Sequence, residues 1–185
     1  MRRWIEAGIG AGALAAATAA ATRGVPRWDA EGFAALNGGP DRLQYVLWGP
    51  MQLGALGSPL VIAGVRLVRG DRSGAMRTAT AGSAAWIGAK VLKKAVGRAR
   101  PAGHVPTTLR IGAADTGLGY PSGHAAVAVT VARVGLAGLP AEPLHAAVPV
   151  VVGLSRIHVG AHFPLDVIGG WALGALSATL VDGLG

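Results

Sequence analysis

The chain has 185 residues, 51% of them hydrophobic and 14% charged, with a mean hydropathy of +0.46. That is one domain's worth of chain, short of the roughly 25% charge of a soluble domain. Its formal charge of 17 − 9 = +8 would suit phosphate contacts, but the cations lie between apolar runs rather than on one polar face, so no nucleic-acid partner is expected. The lack of cysteine excludes disulfides and thiolate metal sites.

Divided at its charges, the sequence gives apolar runs at 5–22, 45–68, 74–92, 122–139, 145–154 and 163–181. A bilayer-spanning helix needs about 20 residues, and abundant Ala and Gly lets such helices approach closely. The pattern predicts an all-α fold: an integral-membrane bundle of six transmembrane helices forming one domain over 1–185. An Ala-rich soluble helical protein is the alternative. The first run follows Arg2 and Arg3 and carries small residues at 19–21, so it also fits a cleavable secretory signal. Pro50 and Pro59 predict a kink in the second run, and Pro149 in the fifth requires an extension towards Ile157. Lys and Arg do not divide cleanly between the two faces; the Arg2–Arg3 start and the arginines at 66, 69, 72 and 77 favour the N-terminus inside. In either orientation, segments 93–124 and 155–166 emerge on the same face.

Those two segments hold three polar clusters. In the first, Lys93, Lys94, Arg98 and Arg100 precede Pro101; the proline is expected to stop the helix and fix the exit of Arg100. Lys94, Arg98 and the later Arg110 read as interface anchors. In the second, Ser122 after Pro121 suits a helix N-cap, Gly123 admits a ligand to the backbone, and the free N–H groups of a helix start attract anions. His124 sits in that first turn as a proton donor. In the third, Arg156 offers a fork matched to phosphate oxygens, and His162 and Asp166 stand one helical turn apart, so the carboxylate can reach the imidazole. His158 reads as structural, and His104 and Asp115 as solvated loop residues.

With six residues between Lys93 and Arg100-Pro101, then Pro121-Ser122-Gly123-His124, then Ser155-Arg156 followed by His162 and Asp166, the chain resembles the type 2 phosphatidic acid phosphatase (PAP2) superfamily, which includes vanadium haloperoxidases and bacterial acid phosphatases. The motifs occupy 93–101, 121–124 and 155–166. The resemblance implies a PAP2/haloperoxidase-like core in which Lys93, Arg100, Arg156, Ser122 and the Gly123 N–H bind the phosphoryl group. It further implies that His162 attacks phosphorus to form a phosphohistidine, Asp166 orients His162, and His124 protonates the leaving group. No metal or other cofactor is implied.

The expected function is therefore hydrolysis of a lipid phosphomonoester or diphosphate. Candidate substrates are a polyprenyl diphosphate, a polyprenyl-phosphoryl sugar phosphate, phosphatidic acid or phosphatidylglycerol phosphate, with a role in lipid metabolism or cell-wall biosynthesis. The Ala/Gly/Arg-rich composition looks like that of a GC-rich bacterial genome; the expected location is the bacterial inner membrane, and the favoured orientation places the site on its outer face. The short loop between Pro101 and Pro121 predicts an open pocket and broad specificity. Alternatives are a metal site at His158, His162 and Asp166, a six-helix intramembrane serine protease using Ser122 and His162, a haloperoxidase, and a non-catalytic lipid-phosphate-binding membrane protein.

Overall fold

The computed structural model describes residues 1–138, 140 and 142–183, with the backbone alone at Arg2. The described residues fold as helices without a strand: α1 (Arg2–Ala21), α2 (Arg27–Asn37), α3 (Leu43–Met51), α4 (Gly57–Val68), α5 (Arg72–Val96), α6 (Gly123–Thr130), α7 (Glu142–His158) and α8 (Pro164–Asp182). Five of the apolar runs fall on α1, α5, α6, α7 and α8, and the second falls on α3 and α4 together. Among the described residues, by length and apolarity alone, two helices can cross a bilayer, Arg3–Ala21 and Pro164–Asp182, or three spans if the bent pair Leu43–Gly54 and Gly57–Val68 counts as one.

The helix boundaries have local causes. The bend in the second run is 62° and falls at Ala55–Leu56, directly after a 3-10 turn, Gln52–Gly54, where Ala55 is extended. Pro59 lies in the first turn of α4, where its missing N–H has no partner to lose. α5 begins earlier than its apolar run because the Asp71 carboxylate accepts from the Gly74 N–H, an N-cap contact. Its end differs from the expectation: Gly97, at φ 70°, closes the helix in the left-handed conformation, so a glycine cap rather than Pro101 stops it. α6 continues as a π-helical turn, Val131–Gly135; the expected end of that run, Leu139, lies outside the described residues. α7 reaches His158, as the fifth run required.

α8 packs against both α1 and α6. Gly170 and Gly174, one turn apart, face α6 so closely that a Cβ on Gly170 would stand 2.5 Å from the Ser122 carbonyl oxygen, and one on Gly174 closer still to that of Ala126. This small-xxx-small face lets two backbones touch. Ala81, Ala85 and Ala89 of α5, buried at helical spacing, pack against both α6 and α8. α1 lies along α8, with Gly10 against Leu176 and Ala17 and Ala21 packed with Tyr120 and Leu165. The Thr18 and Tyr120 hydroxyls are 2.9 Å apart.

One helix has no counterpart among the apolar runs. α2 buries Asp29, Phe33 and Asn37, a single face at four-residue spacing, against the segments that carry the polar clusters.

Candidate active site

The loop at 97–122 and the turn at 159–163 meet at one end of the bundle, as the topology predicted. The Ser122 N–H donates to the Asp166 carbonyl (2.8 Å) and the Arg110 N–H to that of Val159 (3.0 Å). An isolated bridge pairs Ala99 with Leu118, folding the loop on itself.

Between these segments lies a cavity of about 230 Å³ lined by Trp86, Lys90, Lys93, Arg100, Gly123, His124, Arg156 and His162, among others. Six of the eight residues assigned to the site by sequence therefore share one cavity. Larger hollows, about 440 Å³ beside Arg66 and about 500 Å³ beside Glu6 and Arg133, contain no histidine.

Each cation is held by backbone or sulfur rather than by a carboxylate. The Lys93 ammonium donates to the carbonyls of Leu118 (2.8 Å) and Gly119 (2.7 Å). Arg100 donates through Nη1 to the Ala161 carbonyl at 3.2 Å, and Arg156 through Nη1 to the Met51 sulfur at 3.1 Å. The Nε–H groups of both arginines are buried without a hydrogen-bond partner. Leaving a buried donor unmade costs about 1–3 kcal/mol, a cost that an arriving anion removes.

His124 opens α6 and meets Trp86 edge-on, ring centroids 6.4 Å apart. The helix start is as expected: Ser122 is the N-cap, its hydroxyl accepting from the Ala125 N–H at 3.4 Å. Ser122 is fully buried and caps the helix beside the cavity instead of lining it. His162 follows α7 in the turn before α8 and presents Nδ1 to Asp166 Oδ2 at 3.6 Å. Burial foremost, then the charges of Lys93, Arg156 and Arg100 and the nearby His124, hold its imidazole well below the ordinary value of 6.5, so it rests neutral. Arg100, in the loop, is also lowered, chiefly by burial.

His158 does not join a metal constellation: its Nδ1 lies 3.0 Å from the Leu36 carbonyl. Among the described residues, no three His, Cys, Asp or Glu side chains are grouped to hold a metal.

Two anchor assignments are corrected. Arg98 is not at an interface; it is buried, with Nη1 2.7 Å from Asp166 Oδ1 and Nη2 2.5 Å from Asp29 Oδ2. Arg110 is also drawn inward, donating to the carbonyls of Asn37, Gly39 and His158 and pairing with Asp41. Lys94 is exposed, as expected of an anchor. Missed altogether were Asp29, whose Oδ1 accepts from the Leu165 N–H at 2.7 Å, and Asn37, which bonds Thr108 and the His158 carbonyl. The four-residue spacing of Asp29, Phe33 and Asn37 was the available signal.

The fold and this cavity define an all-helical protein with a cation- and histidine-lined cavity, and the family follows from comparison with known proteins. Residues 75–182 match the PAP2 superfamily model, and the chain belongs to that superfamily. Over 88 residues it is 39% identical to an undecaprenyl-diphosphatase of Sulfolobus acidocaldarius, an alignment covering 46% of this chain and 43% of that relative; the match thus spans less than half of the relative's length. Among solved structures, Aquifex aeolicus LpxE superposes with a TM-score of 0.68 at 22% identity, covering 83% of this chain and 93% of that one. A transmembrane PAP2-type phosphatidylglycerolphosphate phosphatase of Bacillus subtilis gives a TM-score of 0.60 at 25% identity, covering 98% and 91%.

Proposed function

We propose that this chain is an integral-membrane lipid phosphate phosphatase working through a phosphohistidine. The observation that carries the reading is the single cavity lined by Lys93, Arg100, Gly123, His124, Arg156 and His162. Phosphoryl transfer depends mainly on positioning and charge stabilisation, and three cations with uncommitted donors supply both. His162 Nδ1 faces Asp166, which leaves Nε2 to attack phosphorus. As the Nε2–P bond forms and the P–O bond to the lipid breaks, positive charge develops on the ring and Asp166 stabilises it. His124 gives a proton to the departing oxygen. Water then attacks the phosphohistidine, His124 taking its proton, and inorganic phosphate leaves. The Gly123 N–H adds a further donor, and Ser122, accepting from the Ala125 N–H beside the cavity, fixes the start of α6 that presents it.

The substrate is a lipid because the chain is built of apolar helices and its relatives include an undecaprenyl-diphosphatase and a phosphatidylglycerolphosphate phosphatase. In this reading the chain forms one membrane domain of six spans, with α3 and α4 sharing one, in a bacterial inner membrane, the site at the outer face. The open cavity accepts more than one headgroup. Purified protein in detergent is assayed for phosphate release from phosphatidic acid, phosphatidylglycerol phosphate and undecaprenyl diphosphate with EDTA present, beside His162→Ala. Release that survives EDTA and disappears in the variant supports the reading. Loss of release with EDTA, or equal release by the variant, overturns the mechanism.

A further inference from the structure

We propose that Asp29 and Arg98 are positioning residues: Arg98, anchored by Asp29 of α2, holds Asp166 Oδ1 so that Oδ2 is presented to His162. This rests on the phosphatase reading above. Neither residue belongs to the groups assigned to the cavity, and Asp29 lies outside the 75–182 family match.

The geometry is specific. The guanidinium spans two fully buried carboxylates, Asp29 and Asp166, its own side chain 2% exposed. A planar fork can hold two acceptors at fixed angles, which an ammonium cannot. Asp166 is thereby fixed at both oxygens, Oδ1 by Arg98 and Oδ2 by the Phe163 N–H at 2.9 Å. The fork is itself fixed: its carbon lies 4.8 Å from the centre of the Phe163 ring, a cation–π distance, and Phe33 of α2 meets that ring edge-on at 5.2 Å. Asp29 completes the arrangement by also accepting from the Leu165 N–H. One face of α2 thus braces the chain on both sides of Pro164, directly after His162.

A charge balance follows. His162 is faced by Lys93 of α5, Arg100 of the loop, His124 of α6, Arg156 of α7 and Asp166 of α8. Arg98 draws the Asp166 charge away from His162, and Asp29 partly neutralises Arg98. Removing the cation and removing its counter-charge must therefore act on His162 in opposite senses. General loosening of the fold has no reason to do so.

The test compares Arg98→Gln and Asp29→Asn with the parent. The amide oxygen introduced by Asp29→Asn can still accept from the Leu165 N–H; its NH2 group then faces Arg98 without bonding it, and Phe33 and Asn37 still tie α2 to the site. Activity is followed as phosphate release from phosphatidic acid and farnesyl diphosphate in detergent micelles. In parallel, the His162 ring is titrated by NMR on histidine-labelled protein, with His162→Ala for assignment. Both variants are expected to lose about tenfold or more in kcat with a smaller change in KM. The His162 titration and the acid limb of the rate profile should move up in pH in Arg98→Gln and down in Asp29→Asn, each by about half a unit or more. Shifts of the same sign, or none, overturn the proposal, and if Arg98→Gln does not fold, the downward shift in Asp29→Asn decides it alone. A parent inactive on every lipid would refute the phosphatase reading instead, while the NMR titration would still judge the coupling of Asp29 and Arg98 to His162.

Discussion

His162 Nδ1 stands 3.6 Å from Asp166 Oδ2, within reach of attraction but beyond a hydrogen bond, while the same oxygen accepts from the Phe163 N–H. The contact tightens only when the imidazole becomes positive, which in the proposed reaction is when phosphorus is attacked. Asp166 then acts on the transition state more than on the resting enzyme.

Asp166→Asn keeps an acceptor for Phe163 but removes the anion. Steady-state assays should show kcat reduced by about 10²–10⁴-fold with a much smaller change in KM. A parallel rise in KM would mean that Asp166 serves ground-state binding.

His124 is assigned to the leaving group, so its value depends on what leaves. His124→Ala should lower turnover of a lipid phosphomonoester by about 10²–10⁴-fold. p-Nitrophenyl phosphate, whose leaving group needs little protonation, should lose far less. Equal losses on both would remove His124 from the proton-donor role.

The histidine held neutral by burial and cations sets the acid behaviour. Its folded value lies below 6.5, so the acid limb of kcat/KM should fall below that pH rather than at it. The unfolded chain takes up this proton first as pH drops. The stability contribution is therefore complete above 6.5 and is lost as pH falls towards the depressed value, visible as a declining unfolding temperature. A limb at or above 6.5 would contradict the assignment of His162 as the group that must be neutral.

The contact of α6 with α8 predicts a packing defect. Gly170→Ala sets a methyl 2.5 Å from the Ser122 carbonyl oxygen, which has no flexible end to move aside. The cost should be about 1–3 kcal/mol, read as a lower unfolding temperature in detergent. A change within about 0.5 kcal/mol, the usual range for surface positions, would show that the helices can part freely.

The groups in and beside the cavity were legible in the sequence where they sit at a chain feature with local meaning. Ser122 is a cap, His124 follows it in the first turn, and Asp166 stands one turn from His162. What supports them was not, because its meaning is non-local. Arg98 reads as an interface cation until Asp29, 69 residues away, is seen beside it. Arg110 looks solvated until the carbonyls at Asn37, Gly39 and His158 surround it. α2 was hidden by its own sequence, RWDAEGFAALN, too short and polar to register as a membrane span though its buried face repeats every four residues. The end of α5 was misjudged because Pro101 is the more conspicuous breaker, while Gly97 already supplies the left-handed cap.

The Nε–H groups of Arg100 and Arg156, buried without partners, bear on the end of the catalytic cycle as well as its start. In the proposed cycle, liberated phosphate meets the same unfulfilled donors that received the esterified one, without a hydrophobic tail to draw it back into the bilayer. The pocket is as complementary to what it discards as to what it consumes. Turnover should then be governed by escape of the inorganic ion, and free phosphate should inhibit competitively, with a grip that weakens as added salt screens those cations.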